Sequence, residues 1–143
     1  MIRAKMFVQK IEHGAILLEM LTAQGLTARL VTGQTSKDDR HALVRDLNAG
    51  KVDFAVASKV FNEGVNIVGL RTSVNAAGGK SAIDNLQRLG RATRRMEGKE
   101  TCDMVDIFDL GVSSLETHAR ARRAAYLREG YKITNDPVHS RRK

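Results

Sequence analysis

The chain has 143 residues, 42% of them hydrophobic and 28% charged, which predicts one soluble globular domain with a single sizeable core. Its formal net charge of +8 and sequence pI of about 10.1 favour an anionic partner, with nucleic acid ahead of a membrane surface. The single cysteine, Cys102, excludes an internal disulfide and a cysteine-based zinc site, and the four histidines lack metal-ligand spacing.

Two further classes are disfavoured by the composition. Aromatic residues make up 4% of the chain and tryptophan is absent, so stacking of single-stranded bases is not expected to be the main binding device. No apolar run approaches the roughly 20 residues of a membrane span, and the N-terminus lacks a signal-peptide core. The sequence thus predicts a cytoplasmic, soluble protein with no membrane partner and no metal site.

Strands and helices are predicted to alternate along the chain. The first helix is expected to bury a stripe formed by Ile11, Ala15, Leu17, Leu18 and Leu21, and the second begins at Ser36, which is suited to cap it. Predicted strands are 5–9, 28–31, 54–57, 72–76 and 102–110, and predicted helices are 10–21, one from residue 36 with Leu43, Val44 and Leu47 inward, one from residue 81, and 114–129.

This alternation is typical of an α/β fold in which crossover units build a mostly parallel sheet flanked by helices. In such sheets, ligands bind at the carboxyl ends of the strands. The loops predicted at this edge are short, polar and glycine-rich, as expected of a surface that faces phosphates. We expect one domain over residues 1–130 and a basic, flexible tail over 131–143.

Residues 87–95, QRLGRATRR, contain four arginines in nine positions. Gln87, Arg91 and Arg94 follow helical spacings of four and three and therefore project from one side of a helix. Planar guanidinium groups arranged in this way suit a polyphosphate, although a solvated basic helix face is the simpler alternative.

The run Gly79-Lys80-Ser81 invites comparison with a phosphate-binding loop. That motif requires a glycine five residues before Gly79, where this chain has Val74 within a predicted strand. An Asp-Glu-Ala-Asp or Asp-Glu-x-His run is also absent from the sequence. We therefore expect that the chain alone does not bind and hydrolyse a nucleotide in the usual way.

Four segments in order resemble motifs of superfamily 2 helicases of the DEAD/DEAH-like group, with phage and bacterial relatives closest in character. Gln-x-x-Gly-Arg-x-x-Arg at residues 87–94 resembles motif VI, and residues 58–67 resemble motif V. Residues 32–35 with Arg40 resemble the Thr-Gly loop and its following helix, and residues 7–14 resemble motif IV. The chain is identified as resembling the second, C-terminal domain of such a helicase.

The resemblance implies a three-layer RecA-like α/β domain that forms half of an ATP-driven motor. ATP with Mg²⁺ would be bound mainly by a first, N-terminal RecA-like domain, supplied in cis or in trans. Arg91 and Arg94 would be arginine fingers, and Gln87 would help to sense the nucleotide or to fix the arginines. Gly64, Asn66 and Arg88 would lie near the nucleotide as well.

The resemblance also implies a track for one nucleic-acid strand, with DNA preferred to RNA as the partner. The residues expected to contact it lie at the ends of the first three strands or just beyond: Gln9, Lys10, Thr32, Gly33, Arg40, Ser58 and Lys59.

Three interpretations remain open. The chain is half of a helicase, inactive as an ATPase without its first domain; a stand-alone basic nucleic-acid-binding module; or a small Rossmann-like enzyme acting on a phosphorylated metabolite. The absence of a Gly-x-Gly-x-x-Gly fingerprint disfavours the third. For the basic helix around residues 118–128, a solvated face with arginine stems over the sheet is favoured over direct contact with DNA.

Overall fold

The computed structural model describes residues 4–58, 72–77, 103–109, 111–134 and 136. The predicted arginine-bearing helix lies outside these residues. The described strands are β1 (Ala4–Phe7), β2 (Ala28–Val31), β3 (Phe54–Ala57), β4 (Thr72–Asn75) and β5 (Asp103–Asp106). The described helices are α1 (Ile11–Ala23), α2 (Lys37–Asn48) and α3 (Ser113–Arg128).

The five strands form one parallel sheet in the order β2-β3-β1-β4-β5. The predicted α/β class and parallel sheet are therefore confirmed. The first strand of the chain lies at the centre, where Met6 pairs in register with Val56 on one side and with Val74 on the other. Because all strands run the same way, their carboxyl ends lie along a single edge of the sheet.

Helix α1 packs on one face of the sheet through a narrower surface than predicted. Leu17 and Leu21 pack against the buried Met6, Val8 and Val56, whereas Ile11 of the predicted stripe is 51% exposed. The helix approaches the sheet at Gly14, which is buried. A Cβ atom built there would lie 2.8 Å from Leu30 Cδ1 and 3.2 Å from Val8 Cγ2. Because the closest contact is made at a glycine, the side of α1 that packs on the sheet differs from the side that carries the predicted apolar stripe.

Helix α2 packs on the opposite face, as its pattern predicts. Leu43 and Leu47 are buried, with Val44 partly buried beside them. They meet the sheet residues Val31, Ala55 and Ala57, together with Val52. The predicted cap is also confirmed, since Ser36 Oγ accepts a hydrogen bond of 3.1 Å from the Asp39 amide.

Strand β5 is shorter than the predicted 102–110 and ends at Asp106. The carbonyl oxygen of Ile107 accepts a hydrogen bond of 3.1 Å from Arg122 Nη2 on α3. The Arg122 side chain therefore binds a backbone carbonyl that would otherwise extend the hydrogen-bond ladder between β4 and β5. The apolar Val105 and Ile107 are about half exposed, as befits an edge strand.

The packed side of helix α3, which the sequence predicts to include Ala121, Ala124 or Ala125 and Leu127 or Arg128, is only partly confirmed. The buried residues are Ala119, Arg122 and Ala125, whereas Leu127 is 48% exposed. Arg122 is the largest fully buried side chain of the described residues. No described helix combines the length and apolar character needed to cross a membrane.

Candidate functional site

The predicted nucleic-acid track begins at the carboxyl ends of β1, β2 and β3, which are neighbours in the sheet. Hydrogen bonds continue from strand to strand beyond the last paired residues, from the Ser58 amide to Val31 O (3.2 Å) and from the Val8 amide to Ala57 O (2.9 Å). The three strand ends are thereby fixed side by side. Gln9 and Lys10 are exposed at this edge, and Ser58 is partly exposed.

The loop after β2 is held by its own hydroxyl groups. Thr32 Oγ1 accepts the Gln34 amide at 3.2 Å, and Thr35 Oγ1 accepts the Thr32 amide at 3.0 Å. The Thr35 amide donates to Thr32 O at 3.2 Å and closes the turn. A hydroxyl that accepts a hydrogen bond keeps its own hydrogen as a donor. The loop therefore presents hydroxyl donors on a pre-formed backbone that surrounds the exposed Gly33.

Arg40, predicted to contact nucleic acid, is used to support this loop. Its Nη2 donates to the carbonyl oxygens of Thr32 (3.3 Å) and Gly33 (3.4 Å). Arg40 Nε is buried, and among the described residues it has no hydrogen-bond acceptor. The guanidinium group thus adds positive charge directly behind the loop while it fixes the loop's shape.

The first turn of α2 carries Asp38 and Asp39, both exposed. Their carboxylates complement the positive end of the helix dipole and repel an approaching phosphate. The start of α2 therefore carries two carboxylates next to Lys37, whereas the Arg40 guanidinium lies against Gly33.

The remaining predicted site residues lie outside the described part of the chain. They are Lys59, Gly64, Asn66, Gln87, Arg88, Arg91 and Arg94.

A second cluster at the same edge joins β4, β5 and α3, and we call Asn75, Asp106, Arg122 and Tyr126 the polar network. Asn75 and Asp106 are register partners at the ends of β4 and β5. Arg122 donates to the Asp106 carboxylate through Nε (3.0 Å to Oδ2) and Nη2 (3.0 Å to Oδ1). The Tyr126 hydroxyl also donates to Asp106 Oδ2, and Asn75 Nδ2 donates to the same oxygen at 3.3 Å.

The polar network is strongly coupled electrostatically. Arg122 and Asn75 are each 1% exposed, so the charge-assisted bonds lie in surroundings that screen them weakly. Burial, followed by the hydrogen bond to the Asp106 carboxylate, raises the pKa of Tyr126 far above its ordinary value. The phenol therefore stays protonated and acts as a hydrogen-bond donor throughout the physiological pH range.

One further charge lies inside the sheet layer. Lys5 on β1 is 3% exposed, and its Nζ lies 4.6 Å from the centre of the Phe7 ring. Burial lowers the pKa of Lys5 to about 8.

Among the described residues, no group of three or more histidine, cysteine or acidic side chains could hold a metal ion.

Sequence reasoning missed the polar network. The usable signal was the helical spacing of Ala119, Arg122 and Tyr126. It places an alanine, an arginine and a tyrosine on the same side of α3. Asp106 at the end of β5 was the complementary signal.

The chain matches the family model described as helicase conserved C-terminal domain over residues 3–96. It is 31% identical over 93 residues to the DNA 3'-5' translocase XPB2 of Sulfurisphaera tokodaii, covering 65% of this chain and 21% of that protein. It is 29% identical over 93 residues to the pre-mRNA-processing ATP-dependent RNA helicase prp11 of Schizosaccharomyces pombe, covering 65% of this chain and 9% of that protein. The chain therefore spans about a fifth or less of the length of these relatives.

The fold is similar to the solved C-terminal domain of the DEAD-box protein Dbp5, with a TM-score of 0.72 and 17% identity. That similarity covers 92% of this chain and 72% of the other. It agrees with the RecA-like arrangement expected from the motifs.

Proposed function

This chain belongs to the helicase conserved C-terminal domain family, and on that premise we propose that it is the second RecA-like half of an ATP-dependent nucleic-acid helicase or translocase. The observation that carries the proposal is the extent of the family match. Residues 3–96 include the strand-end loops, the Ser58 segment and the arginine segment through Arg95 in one uninterrupted stretch.

In the proposed motor, ATP with Mg²⁺ lies between this domain and a first RecA-like domain, which supplies most of the contacts to both. Arg91 and Arg94 reach the nucleotide and stabilise negative charge that spreads over the transferring γ-phosphate. Gln87 senses the nucleotide, and Arg88, Gly64 and Asn66 complete this side of the cleft. Without the first domain, the chain is inactive as an ATPase.

The nucleic-acid strand lies along the carboxyl edge of the sheet, where its phosphates meet hydroxyl and amide donors. The pre-formed loop around Gly33 and the adjacent charge of Arg40 support this assignment, because fixed donors bind a phosphate with little loss of conformational entropy. Gln9, Lys10, Thr32, Ser58 and Lys59 contribute further contacts to the backbone.

DNA is the proposed partner, and the domain grips it largely without regard to sequence because phosphates carry no base information. The net charge of +8 supports a polyanionic partner but is equally compatible with RNA. The relatives include a DNA 3'-5' translocase and an RNA helicase, and the test below compares both nucleic acids.

The test is the ATPase rate of this chain alone and of the two-domain motor, each with and without single- and double-stranded DNA and RNA. We expect no activity from the chain alone and a nucleic-acid-stimulated rate from the motor. Arg91→Ala or Arg94→Ala should lower the stimulated rate by about 10³-fold, the scale on which arginine fingers act. Arg95→Ala, a neighbour with no proposed role in the cleft, is the matched control.

An unchanged rate in both arginine variants would overturn the motor assignment. If the chain then still binds nucleic acid, the interpretation as a stand-alone binding module takes its place. For the track, Lys10→Ala should weaken binding equally for all sequences and reduce the slope of log affinity against log salt by about 1. An unaltered salt dependence would remove Lys10 from the track.

A further inference from the structure

The two residues that follow β4 both have hydrogen-bonded backbone amides. The Ala76 amide donates to Phe7 O on the neighbouring β1 at 2.9 Å, and the next amide, that of Ala77, donates to Asn75 Oδ1 at 3.2 Å. The second bond makes the exit direction depend on the orientation of one side-chain amide.

That orientation is set from α3. Asn75 uses its oxygen for the Ala77 amide and its nitrogen for Asp106 Oδ2. Asp106 is in turn held by two nitrogens of Arg122 and by the Tyr126 hydroxyl. A continuous series of hydrogen bonds therefore runs from Tyr126 and Arg122 to the backbone just beyond β4.

Simple attachment of α3 to the sheet does not require this chemistry. An apolar contact would hold the helix equally well, since burying an ion pair confers little or no net stability over a hydrophobic contact of the same volume. What the bidentate guanidinium–carboxylate geometry adds is a fixed direction. The two groups that transmit this direction, Asn75 and Arg122, are almost completely buried, so water does not compete for their bonds.

We propose that the polar network is a positioning device: Asn75, Asp106, Arg122 and Tyr126 set the direction in which the chain leaves β4 towards the residues Gln87, Arg91 and Arg94. Only residues 78–86 separate the fixed Ala77 from Gln87. An error of about 1 Å in a catalytic group costs about 10²-fold in rate, so a fixed starting direction has kinetic value. The kinetic part of this inference rests on the proposed motor function; the structural link does not.

The structural link is tested on the chain by itself, through hydrogen exchange of the Ala77 amide measured by NMR. Tyr126→Phe removes only the hydroxyl that donates to Asp106, and Asp106→Asn keeps the shape but removes the charge. Each should speed exchange at Ala77 by at least about 5-fold in a protein that remains folded, judged against exchange in α2. Arg123→Ala is the matched control, because Arg123 lies next to Arg122 but pairs with Asp136 (2.6 Å). Exchange at Ala77 that is unchanged in both network variants overturns the proposal.

The kinetic consequence is tested in the two-domain motor. Asp106→Asn should lower kcat about 10-fold and leave the KM for ATP and the affinity for nucleic acid unchanged, while Arg123→Ala leaves all three unchanged. Combined with Arg94→Lys, a variant expected to retain a measurable rate, Asp106→Asn should reduce kcat much less than it does alone. A merely structural loss would instead multiply the two effects, and that result would overturn the positioning role.

The two proposals fail in different ways. If Arg91→Ala and Arg94→Ala both leave the ATPase rate intact, the motor function is wrong, although the effect of Tyr126→Phe on Ala77 still stands. If Arg94→Ala abolishes the rate and Asp106→Asn leaves kcat unchanged, the motor function stands and the positioning role is wrong.

Discussion

The two halves of the sheet, which meet between β1 and β4, are stabilised by different kinds of interaction. Strands β2, β3 and β1 lie between α1 and α2 and are packed by aliphatic side chains such as Val56, Leu43 and Leu47; we call this the apolar half. Strands β4 and β5 are joined to α3 by Asn75, Asp106, Arg122 and Tyr126; we call this the polar edge. Apolar contacts are non-directional, whereas charge-assisted hydrogen bonds fix angles.

The contrast teaches that holding layers together and orienting a strand end are separate tasks in this domain. The apolar half should tolerate substitution by other apolar side chains of similar volume, because its stability depends mainly on filling the space between helix and sheet. The polar edge should tolerate joint replacement of charged partners but not the loss of one, because an unpaired buried charge is strongly destabilising.

The largest effect is expected at the polar edge. Asp106→Ala leaves the buried Arg122 charge without this carboxylate, and we expect the free energy of unfolding to fall by about 3–5 kcal/mol. The joint change Asp106→Leu with Arg122→Met should recover part of that stability, because the buried charge is removed although Asn75 Nδ2 and the Tyr126 hydroxyl still lose their acceptor. The positioning effect stays lost. Urea unfolding of the three proteins measures this, and a joint variant no more stable than Asp106→Ala would contradict it.

In the apolar half, Leu47→Ala should lower the free energy of unfolding by about 3 kcal/mol, because Leu47 is fully buried against β3 and leaves a cavity. Leu47→Met is the matched control and should cost less than about 1.5 kcal/mol. Equal losses in the two variants, again by urea unfolding, would show that this contact depends on shape rather than on volume.

A charge within the sheet layer gives an intermediate effect that depends on pH. Because the pKa of Lys5 is lowered to about 8 from 10.5, the unfolded chain binds more protons at this site between those values. Raising the pH through this window therefore favours the folded state, while below about pH 8 the cost of the buried charge is fully present. Lys5→Met should raise stability at pH 7 by roughly 2 kcal/mol.

The difference between Lys5→Met and the unchanged protein should shrink steadily from pH 8 to 10. Measurements should stop there, because the raised pKa of Tyr126 makes stability fall as the pH rises beyond the ordinary tyrosine value of 10.0. A stability difference that stays constant from pH 7 to 10 would show that Lys5 keeps an ordinary lysine pKa and is therefore charged and solvated in the folded protein.

The smallest effect is expected at a surface ion pair of the apolar half. Arg29 Nη1 and Asp46 Oδ2 are 2.6 Å apart, but the Arg29 side chain is 48% exposed. Arg29→Ala should therefore change the free energy of unfolding by less than about 1 kcal/mol, and the change should vanish in 1 M salt. A loss of stability as large as that of Asp106→Ala would show that the exposed ion pair contributes as much as the buried one.

Much of the apolar half was predictable from the sequence. The bounds of β2 and β3, the Ser36 cap and the buried Leu43 and Leu47 follow from local periodicity and capping chemistry. The packed side of α1 did not, because Gly14 contributes no apolar signal although it is the point of closest approach. Patterns of side-chain hydrophobicity do not register contacts made by the backbone.

The polar edge was harder to predict because its partners are far apart in the chain. A helical arginine is ordinarily exposed, and only the approach of Asp106 makes burial of Arg122 acceptable. Within the candidate site, the binding role of the loop around Gly33 stays a prediction, and the supporting role of Arg40 was not foreseen. The roles of Gln87, Arg91 and Arg94 stay predictions, since those residues lie outside the described part of the chain.

The central position of β1 has a consequence for how the domain forms. Its two neighbours, β3 and β4, come from much later in the chain, as the pairing of Met6 with Val56 and with Val74 illustrates. Pairings between such distant residues form slowly, because a long loop must close before any contact offsets its entropy. During synthesis, β1 therefore has to wait for both partners, and a nascent chain that contains β3 but ends before β4 presents one unpaired side of the central strand to its surroundings.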